Sequence, residues 1–244
     1  MLKPAPIIPW LGGKRRLAKK ILPYFLPHDT YVECFAGAAA LFFTKDQVKT
    51  EVLNDVNGDL MNLYRVVQHH LEEFIRHFKW CLVSRDEFVR QLKAEPSTLT
   101  DIQRAVRFFY IQKLSFGAKL ESPTFGTAAS APPGLNLLRI EETLSAAHLR
   151  LSRTWIERLD WMDCFLKYDR EYALSFFDPP YWETEGYDVD FPFENYETMA
   201  DMAEQAKGQV VITVNDIPEM RQVFRNLRME SVPIKYSLNN NKPV

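Results

Sequence analysis

Residues 30–37, TYVECFAG, and residues 51–60, EVLNDVNGDL, decide the fold. Each stretch begins as a short apolar strand, passes through a turn of small or polar residues, and leads into a helical pattern. Two strand–turn–helix units in succession are typical of a parallel sheet with helices packed on it. We therefore predict an α/β fold built on a doubly wound, Rossmann-like sheet.

The same alternation returns in the last third of the chain. Apolar strands are predicted at 154–159, 173–177, 209–214 and 230–235, and helices at 162–168, 196–206 and 218–227. Near the N-terminus the spacing of apolar residues predicts a helix over 14–26, broken at Pro23, and another over 58–78.

The middle of the chain has a different character. Helices are predicted at 84–94, 101–114 and 140–153, and the loop 115–134 between the last two is long and rich in Gly, Ser, Ala, Thr and Pro. Loops of this length are usually functional or disordered. We predict a catalytic domain formed by residues 1–64 and 151–244, with a mostly helical lobe, 65–150, inserted into it.

Composition is that of an ordinary globular protein, with 46% hydrophobic and 25% charged residues among 244. No apolar run reaches the ~20 residues that a membrane helix needs. The three cysteines are far apart and odd in number, so neither a disulfide framework nor a zinc knuckle is indicated. These features favour a reducing cytoplasm and no membrane partner.

Charge is distributed unevenly along the chain. Residues 1–158 carry 22 Lys and Arg against 16 Asp and Glu, whereas residues 159–244 carry 8 against 16. The first twenty residues contain six basic side chains and no acid. A basic front on a nearly neutral protein favours a polyanionic partner.

Four predicted strands end in a polar or special group: the turn Phe35–Gly37, Asp55, Asp160 and Asp178. In open α/β sheets, ligands bind beyond the carboxyl ends of the strands. The small residues Phe35-Ala36-Gly37 allow close approach of a ligand, or they serve packing alone. Asp55 stands where a carboxylate grips ribose hydroxyls, or it forms an Asx turn or a helix cap.

Asp160-Trp161 offers an acceptor and a flat surface for an adenine, or a solvated acid beside a core tryptophan. Familiar nucleotide motifs are missing, since the chain has neither G-x-G-x-x-G nor G-K-[ST]. The histidines His69, His70 and His77 have no Cys or acid at zinc spacing, so we predict no metal.

Asp178-Pro179-Pro180-Tyr181 is the most specific signal in the sequence. The prolines fix the backbone, so the Asp178 carboxylate and the Pro179 carbonyl can project rigidly beyond the sheet. Hydrogen bonds from an exocyclic amine to these acceptors would localise its lone pair and make it a nucleophile. Stacking on Tyr181 would hold the ring, at roughly 1–3 kcal/mol per base.

Taken together, the sequence resembles the Dam-type (D12 class) adenine-N6 DNA methyltransferases, which use S-adenosylmethionine. The matching segments follow the order of that family: PWLGGKRRLA (9–18), YVECFAGAAALFF (31–43), VLNDVNGDLMNLYRVV (52–67), ERLDW (157–161) and FFDPPYW (176–182). The loop from Ser115 to Lys119 is most similar to a phage and prophage branch.

The resemblance implies a role for each matching position. Cofactor contacts are expected from Trp10, Lys14, Phe35, Ala36, Gly37, Asp55, Asp160, Trp161 and Asp178. The target adenine is expected at Asp178, Pro179, Pro180 and Tyr181, with residues 182–191 closing over it. Phosphate contacts are expected from Arg15 and Arg16 and, in the inserted lobe, from Arg107, Lys113 and Lys119.

Departures from the family concern recognition of the target sequence. Pro9 stands where relatives often have Lys, and Phe116-Gly117-Ala118-Lys119 replaces an F-N-G-x-x-R-x-N loop. We therefore expect short-motif or relaxed specificity. Ala38 and Ala39 replace frequent glycines, which we expect to be tolerable packing changes. Relatives run on into one more strand, so a shortened form of the family chain is expected.

The expected partner is double-stranded DNA, bound by a monomer or weak dimer in the cytoplasm of a bacterial or phage-infected cell. Two alternatives stay open. The same chemistry could methylate RNA adenine, because it does not depend on the sugar. A catalytically silent nucleic-acid-binding protein of the same fold is the other, although intact Lys14, Asp55 and Asp178 speak against it.

Overall fold

A single parallel sheet organises the protein, which is described here by a computed structural model covering residues 3–127, 132–183 and 191–233. The sheet has the order β3-β2-β1-β4-β5. Its strands are β1 (Thr30–Glu33), β2 (Thr50–Asn54), β3 (Thr154–Glu157), β4 (Ala173–Phe177) and β5 (Gln209–Ile212). All four neighbouring pairs are parallel, so every carboxyl end lies at one edge.

The strand order reverses beside β1, since the chain runs from β2 and β3 on one side to β4 and β5 on the other. This reversal creates the crevice in which doubly wound sheets bind ligands. The α-helices of the described residues are α1 (Ala18–Ile21), α2 (Ala40–Thr44), α3 (Gly58–His69), α4 (Leu71–Arg76), α5 (Arg85–Lys93), α6 (Asp101–Leu114), α7 (Ile140–Leu151), α8 (Trp161–Tyr168), α9 (Phe193–Glu204) and α10 (Pro218–Val223).

Helices cover both faces of the sheet. Tyr31, Leu53 and Leu174 belong to a buried cluster with α3, α6 and α7. Val32, Val52 and Phe177, which alternate with them along the strands, pack against α8, α9 and α10. Burial on both faces explains why these strands are almost continuously apolar. The predicted doubly wound α/β fold is confirmed.

The helices α4 to α7 lie within the region predicted as an inserted lobe. Phe74, Phe78 and Phe109 form an edge-to-face cluster there, with ring centroids 5.3–5.5 Å apart. The start of α6 is fixed by a capping box, in which Thr100 and Gln103 satisfy each other's backbone N–H groups. The predicted boundary at residues 64 and 65 falls inside α3, so this lobe is continuous with a helix of the sheet domain.

Three predicted elements differ from the structure in continuity or type, and others differ only in their ends. The helix expected over 58–78 ends at His69 and restarts at Leu71, because His70 leaves the helical region at φ −131° and ψ 35°. The segment predicted as one helix over 14–26 consists of α1 between two short 3₁₀ turns. Residues 230–233 form no strand, and the rest of the strand predicted at 230–235 lies outside the described residues.

Across residues 3–127, 132–183 and 191–233, every helix is too short or too polar to cross a lipid bilayer.

Candidate active site

A cavity of about 820 Å³, including its open mouth, lies beyond the carboxyl ends of β1, β2 and β4. Its wall includes Trp10, Lys14, Phe35, Ala36, Gly37, Asp55, Asp178 and Pro180 from the predicted set. The structure thus brings together groups that are separated by up to 170 positions in the sequence.

The turn after β1 is held in an unusual backbone conformation. Gly37 has φ +46°, a region that side chains disfavour, and a Cβ there would lie 2.8 Å from the indole of Trp10. The backbone N–H of Gly37 donates to Asp55 Oδ2 at 3.0 Å, and the Tyr64 hydroxyl donates to the Gly37 carbonyl at 2.7 Å. Glycine at this position therefore allows the indole to lie directly on the turn.

Ala39, at the start of α2, also adopts a left-handed conformation, with φ +52°. The sequence predicts only a packing change where Ala39 replaces a frequent glycine. The left-handed conformation shows that the replacement also affects the backbone. Such a conformation costs a non-glycine residue roughly 1–2 kcal/mol.

Asp55 makes two backbone contacts at the end of β2. Its Oδ1 accepts from the N–H of Asn57 at 2.9 Å, while its Oδ2 accepts from Gly37. Burial raises the pKa of Asp55, and the hydrogen bonds from Asn57 and Gly37 oppose that rise. The Asx turn considered from the sequence is present, and the same carboxylate also lines the cavity.

Asp178 is held by two side chains. Its Oδ1 lies 2.6 Å from Lys14 Nζ and accepts from the Thr213 hydroxyl at 2.7 Å. Lys14 is buried, donates to the Gly12 carbonyl at 2.8 Å, and lies 4.6 Å from the ring centroid of Tyr181. The structure therefore places Lys14 against the predicted target site, whereas the resemblance implied a contact with the cofactor.

The backbone that follows Asp178 is fixed by the neighbouring elements. The hydroxyl of Tyr196, on α9, donates to the Pro180 carbonyl. The side-chain amide of Asn215, beyond β5, donates to the Trp182 carbonyl at 3.0 Å. Pro179 is buried, and Tyr181 remains partly exposed beside Lys14. Most of the predicted closing segment, residues 184–190, lies outside the described residues.

Glu33, the last residue of β1, is a cavity residue that the sequence analysis missed. It is buried, and its Oε1 accepts from the Tyr31 hydroxyl at 2.8 Å and the Phe42 N–H at 2.7 Å. Burial raises the pKa of Glu33 to about 7, although both hydrogen bonds favour the charged form. Its sequence signal is an acid at a position of an otherwise apolar strand.

The raised pKa of Glu33 predicts a pH dependence of folding stability. Between its unfolded value of 4.5 and about 7 the native state binds a proton that the unfolded state has lost. The contribution of this proton to stability is therefore fully present below pH 4.5, and it is lost as the pH rises through about 7. We expect Glu33→Gln to abolish this fall, leaving the variant about 3 kcal/mol more stable than the parent at pH 8. Urea unfolding from pH 4 to pH 8 measures the difference.

Glu157 provides a control of opposite sign. Burial alone would raise its pKa, but hydrogen bonds from Lys167 and Tyr168 outweigh that effect and lower it. Glu157→Gln should therefore lose a contribution that grows with pH. Equal pH profiles for Glu33→Gln and the parent would contradict the assignment of Glu33.

Asp160 and Trp161 are placed differently from each other. Asp160 is exposed, and its carboxylate caps α8 by accepting from the Met162 N–H at 2.9 Å. Trp161 is buried and stacks on Phe35 with ring centroids 6.0 Å apart, so it supports the cavity wall from behind. The side chain of Asn54 ties this segment to the β1 turn, through the carbonyls of Cys34 and Leu159 at 3.0 and 3.1 Å.

The predicted DNA-contacting residues fall into two groups. Arg15, Arg16 and Lys119 are exposed, and they adjoin Lys14 and Leu120, which line the cavity. Arg107 instead donates to the carbonyls of Gln91 and Leu92 at 2.7 and 3.3 Å. Lys113 is half-buried over the Phe109 ring. Arg107 and Lys113 therefore contact other residues of the region predicted as the inserted lobe.

Within the described ranges, no three His, Cys, Asp or Glu side chains are grouped as a metal site requires. His69 ends α3, His70 stands between α3 and α4, and His77 follows α4.

Comparison with known proteins finds similarity to one enzyme family. The D12 class N6 adenine-specific DNA methyltransferase family matches residues 10–224. The chain is 25% identical to the Type II methyltransferase M.CviBI of Paramecium bursaria Chlorella virus NC1A over 230 residues, which cover 90% of this chain and 86% of that protein.

Two further relatives are similar over nearly the whole chain. The DNA adenine methylase of Haemophilus influenzae is 23% identical over 261 aligned positions, covering 98% of this chain and 90% of that protein. The DNA N-6-adenine-methyltransferase of Escherichia phage P1 is 25% identical over 253 positions, covering 93% of this chain and 32% of that larger protein.

Proposed function

The chain belongs to the D12 class of N6 adenine-specific DNA methyltransferases, and from that premise we propose how its cavity holds the two reactants. It is an enzyme that methylates adenine in DNA. One observation carries the proposal: a single cavity is lined by Gly37 and Asp55 on the β1–β2 side and by Asp178 on the β4 side. We assign the first side to the methyl donor and the second to the target base.

We propose S-adenosylmethionine as the donor, which when bound supplies a methyl group made electrophilic by its sulfonium. Asp55 offers a carboxylate to two ribose hydroxyls, while its hydrogen bond to Gly37 fixes the turn on which the donor would lie. Phe35 and Trp10 supply apolar wall, and Glu33 supplies a buried carboxyl group beside them. Asp160, at the start of α8, is assigned to the adenine end of the donor.

A substitution at Gly37 tests the donor side. Gly37→Ala is expected to weaken S-adenosylmethionine binding at least about tenfold, because a Cβ at 2.8 Å would push the Trp10 indole off the turn. Isothermal titration calorimetry measures the affinity. Gly117→Ala is the matched control, since Gly117 has φ +68° but open space around its Cβ position. It should lose about 1 kcal/mol of stability and keep the parent's affinity; equal affinities for both variants would contradict the role of Gly37.

The acceptor side would take an adenine that has been flipped out of the duplex. Its N6 is otherwise engaged in pairing, and flipping costs a few kcal/mol. The Asp178 carboxylate and the Pro179 carbonyl accept hydrogen bonds from the two N–H groups of the amine, and these hydrogen bonds localise the nitrogen lone pair. Tyr181 stacks on the ring, and the remaining task of the protein is to hold the reacting atoms in line.

Double-stranded DNA would approach over the mouth of the cavity. Arg15 and Arg16 are exposed next to Lys14, and Lys119 is exposed next to Leu120. Phosphate contacts of this kind position a protein without selecting sequence. Because Pro9 and the segment 116–119 lack the base-reading side chains of relatives, we propose short-motif or relaxed specificity.

Methyl transfer from tritiated S-adenosylmethionine to a pool of unmethylated random-sequence duplexes tests the function and the specificity together. We expect label in N6-methyladenine, distributed over many short sequence contexts when the modified adenines are sequenced. Structured RNA competes in a parallel reaction. Label in RNA alone would overturn the DNA assignment, and a single long target site would overturn relaxed specificity.

A further inference from the structure

Thr213 is brought to Asp178 by the register of the sheet. The last pair between β4 and β5 joins Phe177 to Ile212, so the next residues along both strands are Asp178 and Thr213. The Thr213 N–H donates to the Phe177 carbonyl at 2.9 Å, which continues the ladder by one step. Its hydroxyl then donates to Asp178 Oδ1 at 2.7 Å.

The two oxygens of Asp178 are treated differently by the protein. Oδ1 receives both Lys14 Nζ and the Thr213 hydroxyl. Oδ2 receives no donor from the residues that the structure describes, although Asp178 lines the cavity. An ionised carboxylate accepts through both oxygens, so among the described contacts Oδ2 is the oxygen left to accept from a ligand.

The two donors to Oδ1 differ in stiffness. Lys14 reaches Asp178 through a flexible four-carbon side chain and carries its charge on a rotatable ammonium. Thr213 is β-branched, which restricts its first side-chain torsion, and its backbone is fixed by the ladder. A hydroxyl has one proton to donate, and the Phe177 carbonyl, at 3.4 Å, is the poorer acceptor. Thr213 is thus the donor that sets the direction of the carboxylate.

We infer that Thr213 is a positioning residue for methyl transfer: it orients the Asp178 carboxylate so that Oδ2 faces the target amine. The inference rests on the proposed role of Asp178 at the acceptor side. It assigns to the end of β5 a part in the reaction that is separate from binding the methyl donor. Loss of the hydroxyl should therefore change the rate of transfer and leave the affinity for S-adenosylmethionine unchanged.

The test compares Thr213→Val, which keeps the shape and removes the hydroxyl, with Thr213→Ser, which keeps the hydroxyl. Single-turnover methyl transfer is measured at saturating DNA and S-adenosylmethionine, together with donor affinity and thermal unfolding. We expect the rate of Thr213→Val to fall about 10- to 100-fold, because small misplacements at a reacting centre have effects of that size. Thr213→Ser should stay within about threefold of the parent.

Thr198→Val is the remote control, since the Thr198 hydroxyl donates to the Glu194 carbonyl within α9. Its rate should match the parent. A parent-like rate for Thr213→Val would overturn the inference, and so would an equal loss in Thr213→Ser accompanied by a lower unfolding temperature. Failure of the proposed function gives a different result from failure of this inference. In that case the parent itself would transfer no methyl groups, or Asp178→Ala would transfer them at the parent rate.

Discussion

Asp178→Ala is expected to transfer methyl groups at less than about 1% of the parent rate while it still binds S-adenosylmethionine and DNA. Removing one preorganised polar group that acts in the transition state typically costs 10²–10³ in rate. We propose that Asp178 accepts from the target amine, and Lys14 and Thr213 hold its other oxygen. Single-turnover transfer of a tritiated methyl group measures the rate, and calorimetry measures donor affinity.

Two further variants sharpen this expectation. Asp201→Ala removes an exposed acid from α9 and should leave the rate unchanged. Asp178→Asn should be as slow as Asp178→Ala, because Lys14 and Thr213 both donate and therefore select the amide oxygen at the Oδ1 position. The amide NH₂ would then face the target amine and could not accept from it. An Asp178→Asn variant with substantial activity would contradict this arrangement of donors.

The sequence was sufficient for the fold class and for eight residues of the cavity wall. Apolar strands alternating with helices predict a parallel sheet, and parallel strands align their carboxyl ends whatever their order. Gly37, Asp55 and Asp178 could therefore be assigned to one edge of the sheet before the order of the strands was known. The order β3-β2-β1-β4-β5 adds the crevice beside β1 that makes this grouping a site.

Residues that act through register or distant contacts could not be found in this way. Thr213 meets Asp178 because β4 and β5 are paired in one register, which a single sequence does not specify. Glu33 resembles any other position of β1 until its hydrogen bonds to Tyr31 and Phe42 are seen. Trp161 was an even choice between ligand surface and core, and packing on Phe35 places it in the core.

Helix ends show a similar limit. The apolar spacing continues from residue 58 to residue 78, so periodicity predicts one helix where the chain makes α3 and α4. The break at His70 is a backbone change that leaves the apolar face in register, since both Val67 and Phe74 are buried. By contrast, the start of α6 was predictable, because Thr100 and Gln103 form a capping box that the sequence displays.

The second large effect is expected on stability. Glu51, in β2, is 1% exposed, and its carboxylate accepts from Lys45 Nζ at 2.6 Å and from both terminal nitrogens of Arg150. Glu51→Ala would leave two buried cations without their anion, and Arg150 cannot deprotonate. We expect the free energy of unfolding to fall by about 3–5 kcal/mol. Urea unfolding at pH 7 measures it.

An exposed pair of the same chemistry is the control. Glu142, on α7, pairs with Arg139 at 3.3 Å, with both side chains more than half exposed. Glu142→Ala should change stability by less than about 1 kcal/mol. If Glu51→Ala lost no more stability than Glu142→Ala, water would have to reach Lys45 and Arg150 and solvate their charges.

The source of the loss can be separated from the attraction itself. If unpaired charge is what destabilises Glu51→Ala, removing both cations as well should recover stability, because apolar replacements of buried ion pairs are often neutral. The triple variant Lys45→Met, Glu51→Leu, Arg150→Met should then lie closer to the parent than Glu51→Ala does. Arg150 belongs to the last turn of α7 and also donates to the Phe42 carbonyl at 2.9 Å, just after the cavity turn. A stable triple variant with a lower transfer rate would therefore assign the network to alignment of the helical lobe with the sheet, and an unchanged rate would assign it to stability alone.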